Sequence, residues 1–209
     1  MTCLTGIYGA GGCGRGIMPL ARSMPSLAAH RLVFIDENVQ GGMTNGQVVM
    51  SFAEFLAGPE PIKQIAIAIA DPKVRHRVAT RVAKHSIPLL SIWAEQSCVM
   101  DDVEIGEGAL ISPYVTFTSN ILVGRCFHAN LNSYIEHDCV IGDFVTFAPG
   151  VRCNGNIRIG NFAYIGAGAM IRQGLTIGAG AVVGMGAVVV KDIPDGVTVV
   201  GNPAKVLEK

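Results

Sequence analysis

Through the second half of the chain an apolar side chain returns at every sixth residue. The register runs Val99, Ile105, Ile111, Phe117, Val123, Ala129, Ile135, Ile141, Phe147, Cys153, Ile159, Ile165, Ile171, Ile177, Val183 and Val189 without a slip. Four residues after it come small or apolar side chains (Ala109, Val145, Ala163, Ala169, Ala181, Ala187), with Ser133 the polar exception. The residue directly after the register is often glycine, as at Gly106, Gly124, Gly142, Gly160, Gly166, Gly178 and Gly184. Neither the 3.6-residue period of a helix nor the two-residue period of a strand produces this pattern. A period of six suits a triangular coil in which each hexad makes one flat side and one turn. Inward aliphatics then stack coil on coil, for about five coils. The glycines are expected at corners, where the backbone is tight. With no slip in phase, no loop longer than a corner interrupts the stack.

The preceding residues alternate differently. The pattern predicts a strand over 4–8, a helix to about residue 24, a strand over 32–35 ending in Asp36, and a short helix over 51–56. A third strand over 65–69, a helix over 72–84 with Pro72 in its first turn, and a last strand over 89–93 lead into the coil. Strands alternating with helices imply a parallel sheet. The chain therefore divides into a small Rossmann-like α/β domain, 1–94, and a parallel β-helix with a C-terminal tail, 95–209.

Between the first strand and helix stands Gly9-Ala10-Gly11-Gly12-Cys13-Gly14, a literal G-x-G-x-x-G. Asp36 follows about 20 residues on, where a ribose-binding acid belongs. Free loop amides and a helix N-terminus suit a phosphate. The same spacing also serves a tight strand-to-helix turn without ligand. The domain is about half a dinucleotide fold, so a mononucleotide-sized ligand fits it better than NAD.

Composition narrows the partners. Of 209 residues 50% are hydrophobic and 15% charged, and the formal net charge is +0, which supplies no basic field for nucleic acid or an anionic membrane. Mean hydropathy is +0.43, yet no apolar run approaches the ~18 residues of a membrane span. The apolar surplus is expected inside the fold or between subunits. The first residues lack a charged segment followed by an apolar one, so a cytoplasmic protein with reduced thiols is expected. None of the six cysteines forms a C-x-x-C pair, and no metal is expected.

Of the five histidines, His30, His76 and His85 are expected on the surface of the α/β part. His137 stands two residues after the inward Ile135 and should point outward, beside Asp138. Acyl transfer from a thioester needs a base near neutral pH, an orienting acceptor for it, and donors for the oxyanion. His137, Asp138 and corner amides could supply these. A solvated or interface histidine beside surface acids is the other reading of that position. Cys139 occupies an inward position, which disfavours a covalent acetyl-cysteine route.

The strand–GxGGxG–helix opening, the segment Ile67–Arg75 with its [IV]-A-I-x-[DN]-x-x-x-R pattern, and Ser133–Gly142 (SYIEHDCVIG) occur together. In this the chain resembles the nucleotide-sugar N-acetyltransferases of the hexapeptide-repeat superfamily, a family that includes sialic-acid O-acetyltransferases. It is similar to bacterial enzymes acting on UDP-linked 4-amino-4,6-dideoxy sugars, such as those of the bacillosamine pathway. The resemblance spans nearly the whole chain. It implies a left-handed β-helix, a homotrimer with active sites between subunits, and direct transfer from acetyl-CoA. It implies His137 as general base and Asp138 as its partner. Gly9, Gly11, Gly12, Cys13, Gly14, Asp36, Ala70, Asp71 and Asn130 would bind the nucleotide sugar. The Gly155 amide would face the oxyanion, and coenzyme A would lie near Ala167, Gly168 and Lys205. The sequence departs from the family at Cys13 and Thr146, where histidines are usual, and at Ala70, where glycine is. These departures bear on the sugar nucleotide more than on the chemistry. O-acetylation of a sugar, or nucleotide-sugar binding without turnover, are the alternatives. A β-helix carbonic anhydrase would need three interfacial histidines, whereas the coil offers only His128 and His137.

Overall fold

The computed structural model describes residues 3–38 and 42–208. The N-terminal part consists of β1 (Cys3–Tyr8), α1 (Gly12–Ser23), β2 (Arg31–Ile35), β3 (Gly42–Thr44), β4 (Gln47–Met50), α2 (Phe52–Ala57), β5 (Ile62–Ile67) and α3 (Pro72–Ala83). The sheet order is β3-β4-β2-β1-β5, parallel except for the β3–β4 hairpin. That hairpin was not expected. Its turn places Asn45 at φ 49° and Gly46 at φ 74°, and an Asn-Gly pair with both φ positive makes the tight turn whose twist matches paired strands. The short helix begins one residue later than expected because Ser51 caps it. The Ser51 hydroxyl accepts from the Glu54 amide at 3.2 Å, and the Glu54 carboxylate accepts from the Ser51 amide at 2.7 Å. The third strand lies nearer the N-terminus than expected. The last expected strand splits: Leu89 bridges to Ile65, and Ile92–Trp93 already belongs to the coil.

The coil is three-sided. Its three sheets, parallel except for their last strand, Lys205–Val206, are built from two- and three-residue strands, and up to Val189 paired residues are 18 positions apart, Phe117 with Ile135, Ile135 with Cys153 and Cys153 with Ile171; the final step is 16, from Val182 to Thr198. The six-residue register is its inward face: from Ile111 to Val189 every member is buried in one continuous core. Val99 is 43% exposed instead, because Cys98–Val99 is the end strand of its sheet and has no coil beneath it.

The recurrent glycine has a different cause from the one expected. The positive-φ positions fall three residues after the register, in columns down the corners. Asp102, Asn120, Asp138, Asn156 and Gly174 form one such column. The glycines directly after the register have ordinary φ but no room: a Cβ on Gly106 would come within 2.7 Å of the Arg125 amide in the next coil. Crowding between coils demands them, not corner geometry.

Arg75 joins the two parts. It is wholly buried, and its guanidinium donates to the carbonyls of Ile69, Ala70, Cys126, Phe144 and Val145 and to Thr146 Oγ1. No carboxylate contacts it among the described residues; burial pushes its pKa down to about 10, so at neutral pH it remains a cation solvated by backbone dipoles. His76 and His85 are exposed. His30 is only half exposed, because its Nδ1 lies 2.9 Å from Thr5 Oγ1 and 3.1 Å from Gln64 Nε2.

Candidate active site

The glycine loop joins β1 to α1. Gly9 has φ 107°, a conformation that side chains resist. Gly14 packs so tightly on the Gly9 carbonyl that a Cβ there would overlap it. Gly11 caps α1 without a side-chain partner, and the first turn carries no acid, so the positive end of the helix faces outward. Gly12 has open space where a side chain would be. Asp36 braces the loop: Oδ2 accepts from the Ala10 amide at 2.9 Å and Oδ1 from the Asn38 amide at 2.9 Å. Each oxygen retains a lone pair for a further donor. Asp71 is committed as the N-cap of α3, accepting from the Val74 amide at 2.8 Å.

A cleft of about 500 Å³ separates α1 from the early coils. Gly12, Cys13, Ala70 and Asn130, four of the expected residues, line it. So do Ser112, His128 and Thr146, which sequence reasoning had not placed at a binding site. Burial pushes the Cys13 thiol up, so it is present as S–H. The Thr146 hydroxyl is occupied. It donates to the Ala70 carbonyl at 2.8 Å and accepts from Arg75 at 2.9 Å. The Ala70 carbonyl is thus drawn into the joint between the two parts.

His137 lies elsewhere, on a corner of the coil and outside the lining of this cleft. Its outward direction is as expected, with the side chain 47% exposed. Nδ1–H donates to Asp138 Oδ2 at 2.8 Å, and Asn120 Nδ2 donates to the other carboxylate oxygen at 3.2 Å. Asp138 takes φ 59° at the corner, which turns its carboxylate back towards the ring. The hydrogen bond to Asp138 raises the His137 pKa, and the same bond, with that from Asn120, lowers that of Asp138. With Nδ1 so occupied, Nε2 is the free basic nitrogen. The imidazole rests on Gly155: a Cβ there would lie 2.5 Å from Cε1 and 2.6 Å from Nε2. Among the described residues the Gly155 amide has no acceptor. Cys139 is sealed in the coil interior, its thiol 3.2 Å from the Asn154 carbonyl.

Ala167 and Gly168 occupy a corner later in the coil, where the Gly168 amide bonds to the Pro149 carbonyl. Lys205 is exposed on the strand Lys205–Val206, antiparallel to Thr198–Val200. The structure brings neither of these segments to the cleft lining.

Two family descriptions match the chain: residues 6–82 match the PglD N-terminal domain, and residues 156–191 the bacterial transferase hexapeptide (six repeats). Over 99% of its length the chain is 46% identical to the GDP-perosamine N-acetyltransferase of Escherichia coli O157:H7, 97% of which is covered. The chain belongs to the nucleotide-sugar N-acetyltransferases of the hexapeptide-repeat superfamily. Its coil is accordingly the left-handed β-helix, and it is an acetyl-CoA-dependent sugar acetyltransferase. WeeI from Acinetobacter baumannii AYE superposes with a TM-score of 0.94 at 47% identity, over 98% of this chain and 100% of that one. The acetyltransferase domain of PglB from Neisseria gonorrhoeae FA1090, solved with acetyl coenzyme A, gives 0.90 at 32% identity over 98% of each chain.

Proposed function

We propose that the enzyme transfers acetyl directly from acetyl-CoA to the amine of a nucleotide-linked 4-amino sugar, with His137 as general base. The His137–Asp138 pair carries this reading: a histidine whose Nδ1–H is held by a carboxylate, leaving Nε2 free above an unengaged glycine amide. The amine nitrogen attacks the thioester carbonyl, and Nε2 takes its proton as the C–N bond forms. The oxyanion accepts from the Gly155 amide. The C–S bond then breaks, and the proton passes from His137 to the leaving sulfur, giving the amide and free coenzyme A.

The diphosphate of the acceptor binds at the bare N-terminus of α1, with Asp36 towards the ribose. Its sugar enters the cleft beside Asn130. Because His137 stands outside that cleft in its own chain, the base is supplied by a neighbouring subunit of a trimer. Exposed apolar side chains on the outer faces of the coil (Leu122 50%, Met170 44%, Val182 36%) support such packing. Coenzyme A extends past the corner at Ala167 and Gly168, where no side chain stands on the glycine, towards Lys205. The relative named for GDP-perosamine makes a GDP-linked amino sugar the first acceptor to assay.

Thiol release from acetyl-CoA, measured against GDP-, UDP- and dTDP-linked 4-amino sugars with sialic acid as the hydroxyl control, tests the reaction. Turnover of one amino sugar, abolished in His137→Ala, is expected. Turnover of the hydroxyl acceptor alone would replace N- by O-acetylation. Turnover that survives His137→Ala within tenfold would remove His137 as base.

A further inference from the structure

We propose that His128 and Ser112 read a free hydroxyl group on the acceptor sugar, with His128 Nδ1 accepting its hydrogen bond and Ser112 Oγ completing it. The inference rests on the cleft being the acceptor site.

The cleft is walled largely by carbon, from Ile17, Leu20, Leu110, Leu131 and Phe147, so its few polar atoms decide what it can hold. Two are already engaged. The Thr146 hydroxyl is held between Ala70 and Arg75, and Asn130, itself exposed, accepts at Oδ1 from the Leu131 amide at 2.9 Å. His128 and Ser112 differ. His128 is 6% exposed and Ser112 9%, and among the described residues neither His128 Nδ1 nor Ser112 Oγ has a hydrogen-bond partner. Neither atom is sealed inside the protein. Both open on the cleft their residues line.

The tautomer of His128 is determined by its surroundings. Nε2 lies 2.9 Å from the Ile67 carbonyl, which can only accept, so Nε2 carries the proton and Nδ1 presents a lone pair. Burial, with the Arg75 cation nearby, holds the ring's pKa well below the ordinary histidine value. Burial thus favours the neutral imidazole, and with Nε2 protonated its Nδ1 is an acceptor. A nearly buried acceptor without a partner is a cost of about 1–3 kcal/mol, relieved when a ligand donates to it. A carbonyl or a deoxygenated carbon cannot donate. A sugar hydroxyl can, and its own lone pairs can accept from Ser112 Oγ on the same wall of the cleft. Ser112 directly follows the segment Leu110–Ile111 that pairs with His128–Ala129, and its amide donates to the Ala129 carbonyl at 3.0 Å.

The test is titration calorimetry with GDP-perosamine, its 2-deoxy and 3-deoxy analogues, and GDP. The proteins are the wild type, His128→Gln and Ser112→Ala. Glutamine can keep the N–H to Ile67 while moving the acceptor away from the ring Nδ1 position to its own Oε1. Wild type should bind GDP-perosamine about 10–100-fold more tightly than one of the two analogues. In His128→Gln that ratio should collapse to less than about threefold, with affinity for GDP unchanged. The proposal is overturned if wild type does not discriminate between GDP-perosamine and either analogue, or binds it no better than GDP. It is also overturned if His128→Gln weakens substrate and analogue by one factor. Should His128→Gln fail to fold, Ser112→Ala must show a reduced ratio on its own, and an unchanged ratio counts against the proposal. Because binding requires no turnover, the outcome is separate from whether acetyl transfer to the amine occurs.

Discussion

Arg75 on α3 and Thr146 on the coil, 71 residues apart in sequence, are joined at 2.9 Å from guanidinium Nη2 to Oγ1, and the Thr146 hydroxyl donates in turn to the Ala70 carbonyl at 2.8 Å. One hydroxyl thus links the helix, the loop after β5 and the wall of the cleft. Replacing Arg75 with Met leaves several carbonyls of this joint short of a donor. Equilibrium unfolding in guanidinium chloride should show a loss of about 3–5 kcal/mol, since each buried acceptor left without a donor costs about 1–3 kcal/mol. Thr146→Val removes one donor and one acceptor and should cost about 1–2 kcal/mol.

Catalysis should follow the ionisation of His137. The base works when Nε2 is unprotonated, and Asp138 raises its pKa by stabilising the charged ring. Activity is therefore present above that pKa and is lost as pH falls through it. The acid limb of kcat/KM should lie above the ordinary histidine value in wild type and move to lower pH in Asp138→Asn. At the plateau His137→Ala should lower kcat by roughly 10²–10⁴-fold. An acid limb that does not move in Asp138→Asn would assign it to another group, such as the substrate amine.

Gly155→Ala places a methyl group against the His137 ring, within 2.6 Å of Nε2. The ring must swing away from its place over the amide. A fall in kcat of about 10²-fold is expected from a displacement of this size, with thermal stability nearly unchanged because the imidazole is half exposed and free to move. Wild-type kcat in this variant would mean the ring does not act from this position.

The two kinds of glycine in the coil should respond differently. In Gly160→Ala the methyl meets the Ala179 amide at 2.5 Å, and neither coil can yield, so a loss of about 1–3 kcal/mol is expected. Gly168 has open space and φ 69°. Asn132 already takes φ 58° in the same corner column, so Gly168→Asn should change stability by less than about 0.5 kcal/mol. Thermal denaturation of the two variants decides whether crowding or conformation places each glycine.

The coil was legible because it repeats: one inward aliphatic per hexad reports directly on burial, and only Val99, at the open end, broke the rule. The outward direction of His137 and Asp138 was legible because the register gives it. The cleft was not. His128 and Thr146 immediately precede the inward Ala129 and Phe147, and they become lining residues only because α1 and Ala70 fold over that face. Their partners, Ile67 and Ala70, lie 61 and 76 residues away, and no periodicity connects such distances. Arg75 was visible as part of a motif, but its burial among carbonyls was not. The β3–β4 hairpin was missed although Asn45-Gly46 stood in the sequence. The glycines of the register were found for the wrong reason, since a one-dimensional pattern cannot distinguish a tight turn from a close neighbour.

Around the site each strand residue of the coil pairs with the one 18 positions on, and adjacent coils are separated by the strand spacing of about 4.8 Å. Asn120, Asp138 and Asn156 are therefore successive marks on a ruler, and His137 and Gly155 sit one mark apart on the same edge. The distance between base and amide is inherited from backbone hydrogen bonding and does not depend on any loop. Whole coils could be added or removed beyond the site without disturbing it. A single-residue deletion between His137 and Gly155 would carry the amide around the corner, and the two would no longer share an edge.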